Sequence, residues 1–165
     1  MRYRRTRNQF HHPQSVFCRG MKAYISISYQ RRRSLNTAIT AIMSVLEEHH
    51  VESFVFVDHY KFEETHEEEM MRAALAELEQ CDLLIAETSH KGIGIGIEAG
   101  YAKAKSKPVI YLRHKEAEHS TTLSGASDYR VIYKNTDDLQ RQLELVIKEI
   151  TAAVEQVAIS TSQTT

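Results

Sequence analysis

No charge of one sign dominates this chain: Lys plus Arg number 21 and Asp plus Glu 22 over 165 residues. That balance removes the electrostatic case for nucleic acid or an anionic membrane as the main partner, and any anion site must be local. Cysteine occurs only twice, at Cys18 and Cys81, in two unlike contexts. Both read as free thiols in a reducing compartment rather than as a disulfide scaffold. No apolar run approaches the roughly 18 residues of a membrane span, and no secretory apolar core occurs near the start. A cytoplasmic protein is the expectation. With 42% hydrophobic residues, a chain of this size buries about 70% of its unfolded surface, enough for one domain with a real core.

The first 20 residues carry Arg2, Arg4, Arg5, Arg7 and Arg19 and no acid. Such a composition is shared by transit peptides and basic arms, but the stretch is expected to be a disordered extension, with Met21 opening the first strand. Residues 158–165 are polar and patternless and are expected to form a flexible tail, which leaves a domain at 21–157.

Within that domain strand-like and helix-like segments alternate, the mark of βαβ units. Strands are expected at 22–29, 53–60, 81–88, 108–114 and 129–134. Helices are expected at 34–50, over the acidic stretch from 61 into 70–80, at 98–105 and at 137–157, with Ser34 capping the first and Thr136 or Asp137 the last. Right-handed crossovers then give an α/β, flavodoxin-like doubly wound sheet of five parallel strands in the order 2-1-3-4-5. Ligands of such sheets bind beyond the carboxyl ends of the strands where winding reverses, here Ser28 to Arg33 and His90 to Glu98.

Between 92 and 98 the chain reads GIGIGIE. Gly92, Gly94 and Gly96 can bring backbone N–H groups close to a phosphate or sugar and permit positive φ, with the isoleucines between them anchoring the loop. The spacing is neither a phosphate loop with Gly-Lys-Ser/Thr nor a dinucleotide fingerprint. Equally, the stretch reads as a tight strand-to-helix turn with Glu98 as a first-turn residue. In that position the helix dipole keeps the carboxylate ionised at neutral pH, which suits a nucleophile for an anomeric carbon.

The stretch CDLLIAETSHKGIGIGIEAGYAKAKSKPVIYL, with HSTTLSGASDYRVIY downstream, resembles the nucleoside 2-deoxyribosyltransferase superfamily, including its 2'-deoxynucleoside 5'-phosphate N-hydrolase branch. The resemblance runs over about 21–150. It implies that Glu98 is the nucleophile, that Tyr24 contacts it, and that Ser120 serves the phosphate site of a neighbouring subunit in a homodimer or larger homo-oligomer. Relatives carry an aspartate eight residues before the one that opens the third strand, where it serves the leaving base or water; that position is Ala74. They carry an aspartate or serine six residues before the nucleophile; that position is Gly92.

Cleaving an N-glycosidic bond requires a proton for the base unless it leaves as an anion or is already cationic, as nicotinamide is. Asp58, His59, His66 to Glu69 and His90 are candidates for that acid, with His90 nearest the switch point. Arg31 to Arg33 can meet a phosphate or simply form a charged turn. Nine histidines invite a metal, yet neither H-E-x-x-H nor C-x-x-C occurs, and Gly-x-Ser-x-Gly is absent. No metal or cofactor is required. The expected function is cleavage of an N-glycosidic bond in a nucleoside or nucleoside 5'-monophosphate through a glycosyl-glutamate. Glu98 and Tyr24 would act as catalytic residues, and Ser28, His90, Gly92, Gly94, Gly96 and Ser120 as substrate-binding residues. The alternative is a nucleotide- or metabolite-binding module without catalysis.

Overall fold

The computed structural model describes residues 20–63 and 65–162. The arginine-rich leader, Cys18, Glu64 and the last three residues lie outside them. Five strands, β1 (Lys22–Ser26), β2 (Glu52–Val55), β3 (Leu83–Glu87), β4 (Val109–His114) and β5 (Tyr129–Tyr133), form one sheet in the order β2-β1-β3-β4-β5. All pairings are parallel. The architecture is the expected one, and the winding reverses between β1 and β3.

Six helices cover the sheet: α1 (Asn36–Glu48), α2 (Phe56–His59), α3 (Glu67–Glu79), α4 (Ile93–Ala104), α5 (Thr121–Ala126) and α6 (Thr136–Ser162). The two-residue period of β1 sorts its side chains. Ala23, Ile25 and Ile27 face the core shared with α1 and α6, while Tyr24 faces the core shared with α3, α4 and α5. Ile39, Ile42, Val45 and Leu46 of α1 and Leu139, Leu143, Ile147 and Ile150 of α6 recur at helical spacing and close the first layer. Among the described residues no helix is long and apolar enough to cross a membrane.

Several expected boundaries shift for local reasons. β2 stops at Val55 rather than Tyr60, because Phe56 turns the chain into α2. The last helix runs to Ser162, past the expected end at 157. Ser34 does not cap α1: its hydroxyl donates to the Arg31 carbonyl at 2.8 Å, and Leu35 occupies the cap. At the start of α6 the capping acceptor is Asn135, whose Oδ1 receives the Asp138 N–H at 3.0 Å, rather than Thr136 or Asp137. The hydroxyl-rich stretch 119–125 lies largely in α5, with Ser120 Oγ accepting from Leu123 N–H. Cys81 is buried and free, and burial pushes its thiol up to about 11.

Helices α1 and α4 end in the same way. His50 and Ser106 adopt φ of 56°, and the next residue's N–H returns to the helix: Val51 to Leu46 at 2.8 Å and Lys107 to Ala102 at 2.9 Å. This paired closure normally uses glycine at the left-handed position, where a Cβ costs about 1 kcal/mol or more. Replacing Ser106 by Gly is therefore expected to raise stability by about 0.5 kcal/mol once the added freedom of the unfolded chain is subtracted, and Ser106→Val to lower it by about 1 kcal/mol or more. Urea denaturation of the two variants checks both signs.

Candidate functional site

α4 begins at Ile93, five residues before the expected start, so Glu98 lies in its second turn, not its first. Gly92 precedes the helix with extended backbone, φ −153°. No described glycine has positive φ. The glycines therefore do not make the strained loop that the sequence suggests. Instead they leave the opening turns of α4 bare: a Cβ at Gly94 or Gly96 would meet nothing within 4 Å. Of the three isoleucines only Ile95 enters the core; Ile93 is 87% and Ile97 48% exposed.

Ile95, Ala99 and Ala102 seat α4 against the sheet, the two alanines letting it approach closely. This packing carries Glu98 to the carboxyl end of β1. There Tyr24, fully buried, donates its hydroxyl to Glu98 Oε1 at 2.8 Å, and Ser26, also buried, donates to Oε2. Tyr24, Ser26 and Ser28 occupy alternate positions along the chain, and Ser28 lines the cavity beyond.

Burial raises the Glu98 carboxyl above its usual range, while the Ser26 and Tyr24 hydroxyls pull it back down. The expectation of a dipole-held, freely ionised first-turn carboxylate thus gives way to a desolvated one that two hydroxyls keep available. Tyr24 is raised far above an ordinary phenol by burial first and by the neighbouring Glu98 charge second, so it acts as a donor and not as an acid.

Glu98 opens onto a cavity of about 650 Å³. Gly92, Gly94 and Ile95 line it from α4, and Met70, Met71 and Ala74 from α3. Phe56, Tyr60 and Phe62 line a further part, their rings near-parallel with centroids 4.8 to 6.2 Å apart. A space of this size, mostly apolar with a few converging polar groups, suits a nucleoside-sized ligand. A second groove of about 520 Å³ adjoins it across the start of α4, lined by Ile93, Gly96, Gly100, Ser120 and Leu123.

The fold brings Tyr24, Ser28, Gly92, Gly94 and Glu98 together. Gly96 and Ser120 line the adjoining groove instead. His90 lines a third space, with His114, Ser89 and Ser34, and is not among the residues around the Glu98 cavity. Of the other candidate acids, Asp58 is held by Arg32 in a two-pronged ion pair at 2.6 and 2.7 Å, and His59 stacks on Phe54 at 4.7 Å. Arg32 is thereby taken from the arginine triplet, which the sequence left open between meeting a phosphate and forming a charged turn.

Ser26 went unnoticed in the sequence although the strand period from Tyr24 marks it. The Phe56 and Tyr60 pair also escaped, because its i, i+4 spacing lay inside an apparent strand. Glu87, at the end of β3, is a second buried carboxylate that gave no signal. It accepts from the Ser89 hydroxyl and from Tyr133 Oη at 3.1 Å, and burial raises it too.

The sequence pattern of the family described as nucleoside 2-deoxyribosyltransferase matches residues 24–156. Over 41 residues, 25% of this chain and 29% of the relative, the sequence is 44% identical to a Syntrophotalea carbinolica protein named "Putative 2'-deoxynucleoside 5'-phosphate N-hydrolase 1". That match spans less than a third of the relative's length. Among solved structures, a CMP N-glycosidase of Clostridium botulinum superposes with a TM-score of 0.56 at 21% identity, over 75% of this chain and 98% of that one. A 2-deoxyribosyltransferase of Bacillus psychrosaccharolyticus gives 0.53 at 13%, over 72% and 90%. At these identities the structural likeness speaks for a shared fold.

The raised Glu98 carboxyl has a measurable consequence. Between its unfolded and native values the native state binds the extra proton, so this group makes stability fall as pH rises through that window. Glu98→Gln, which removes the charge, is expected to match the parent near pH 4 and to exceed it at pH 8 in chemical denaturation. Glu87 is present in both proteins and cancels.

Proposed function

Because the chain belongs to the nucleoside 2-deoxyribosyltransferase family, we propose that it cleaves the N-glycosidic bond of a nucleoside or nucleoside 5'-monophosphate through a glycosyl ester on Glu98. The observation that carries this reading is a single carboxylate held from β1 by two hydroxyls and facing a nucleoside-sized cavity. Glu98 attacks C1' as the C1'–N bond breaks through an oxocarbenium-like transition state, and water or a second base then releases the sugar. Tyr24 and Ser26 fix which carboxylate oxygen faces the sugar and take up charge as the ester is hydrolysed. Desolvation strengthens the nucleophile, while the two donors pull its carboxyl back toward the ionised form. The bare backbone of 92–94 admits the sugar close to the helix, where a side chain would fill that space.

The reading extends to assembly. In one chain Ser120 and Glu98 line different spaces, and the groove holding Ser120 is flanked by the exposed Ile93. A homodimer that covers this face would bury an apolar strip and carry Ser120 toward a neighbour's ligand phosphate, as the family resemblance implies.

Release of free base from a panel of nucleosides and their monophosphates tests the activity. Glu98→Ala is expected to lower it by at least about 10³-fold, since no other group takes the sugar. Tyr24→Phe is expected to lower it about tenfold and to move the acid limb of kcat/KM upward, because a donor that stabilises the carboxylate is gone. Base release that persists in Glu98→Ala would refute the nucleophile, whereas tight binding without release favours the binding module. For the assembly, Ile97→Glu is expected to convert a dimer to monomer in sedimentation velocity and to lose activity in parallel.

A further inference from the structure

The part of the cavity lined by α3 has an unusual inventory for a site that must expel a heterocycle. Glu67, Met70, Met71 and Ala74 all line it, at the i, i+3, i+4, i+7 spacing of one helix face. Ala74, 2% exposed, offers only a methyl group. Glu67 stands seven residues away, about 10 Å along the helix, and lines the cavity with Glu63. Two of the remaining polar groups are already engaged. The Tyr60 hydroxyl is donated to Glu77 at 2.6 Å, and the Lys91 ammonium is paired with Glu118 at 2.5 Å.

From this inventory we infer that the leaving-group half of the cavity accepts a heterocycle that carries a positive charge, a quaternised ring nitrogen bonded to C1'. The inference rests on Glu98 being the nucleophile. Bond cleavage then balances without an acid. A Glu98 oxygen bonds to C1', the C1'–N electron pair returns to the ring nitrogen and cancels its charge, and the heterocycle leaves neutral. Water next adds to C1', the Glu98–C1' bond breaks, and one proton passes to solvent.

The walls supply what such a cation requires. Phe56, Tyr60 and Phe62 offer aromatic faces that attract a delocalised positive charge. Three acidic side chains line the space, Glu63, Glu67 and Glu98, against one described cation, Lys91, which is already neutralised. Among the described residues neither Glu63 nor Glu67 pairs with a cation. A neutral base would gain nothing from this field and would still need a proton that the Ala74 methyl group does not provide.

Matched substrates that differ in charge alone test the inference. Nicotinamide mononucleotide is compared with its uncharged dihydro form, and N7-methylguanosine 5'-monophosphate with the unmethylated nucleotide. The cationic member of each pair is expected to show a kcat/KM at least about 100-fold higher after division by its own uncatalysed rate, the range that a missing general acid represents. On Glu98→Gln protein, where turnover is blocked, calorimetric titration is expected to show the cationic member binding about tenfold tighter. Replacing Glu63 and Glu67 by Gln is expected to narrow that gap, and replacing both by Asp to keep most of it. Equal binding within the pairs, equal normalised turnover, or a specific loss of neutral-substrate cleavage in Glu67→Gln would each overturn the inference, the last by making Glu67 the leaving-group acid. Cleavage that survives Glu98→Ala would instead remove the nucleophile, while the titrations still decide the charge preference.

Discussion

The structure depends on a carboxylate being taken out of water without being silenced. Moving Glu98 against the carboxyl end of β1 favours its protonated form, and an isolated buried charge would simply neutralise. Two hydroxyl donors from one strand reverse part of that tendency. They can do so only because β1 is parallel-paired on both sides: Tyr24 stands between Phe54 and Leu84, and Ser26 beside Ala86. The opposite face of the same strand, Ala23, Ile25 and Ile27, is fixed in the α1 and α6 core. A one-residue slip of β1 would therefore destroy the site and the core together.

The two buried carboxylates show how environment divides their roles. Glu87 ends β3, is 0% exposed, and is enclosed by Ser89 and Tyr133. Ser89 in turn accepts the His114 N–H at 2.8 Å, tying the ends of β3, β4 and β5 into one hydrogen-bonded patch. That group has donors on all sides and no space beside it, the pattern of a structural network. Glu98 is half-buried with comparable donors, and one side of it faces empty volume. A perturbed carboxylate becomes a chemical candidate only when a substrate atom can reach it.

Strand order and the position of the switch point were legible in the sequence because parallel strands buried on both faces read as short apolar runs, and α1 and α6 carry clean helical stripes. Boundaries were less legible where residues do two jobs. Phe56 looked like the middle of a strand since aromatic and β-branched residues surround it, yet it opens α2 and presents its ring to the cavity. Gly92 to Gly96 looked like a loop because glycine weakens helices. Tertiary packing of Ile95, Ala99 and Ala102 overrides that propensity, and the missing side chains shape open space instead of backbone geometry. Ser26 carried no motif of its own; only its register with Tyr24 reveals it.

The bare start of α4 also explains how one short segment can serve two unlike surroundings. On one side of Gly92 and Ile95 lies the cavity with Glu63, Glu67, Glu98 and the aromatic rings; on the other lies the groove with Ser120. The two sides differ in charge. An anionic group on the acidic side would meet three carboxylates, whereas the Ser120 side is lined by the hydroxyl residues Thr88, Ser120 and Thr122 and by no carboxylate. Like charges within several ångströms repel even in a partly solvated site, and opposite ones attract. Under the proposed chemistry a cationic ring therefore suits the α3 side, and an anionic group does not.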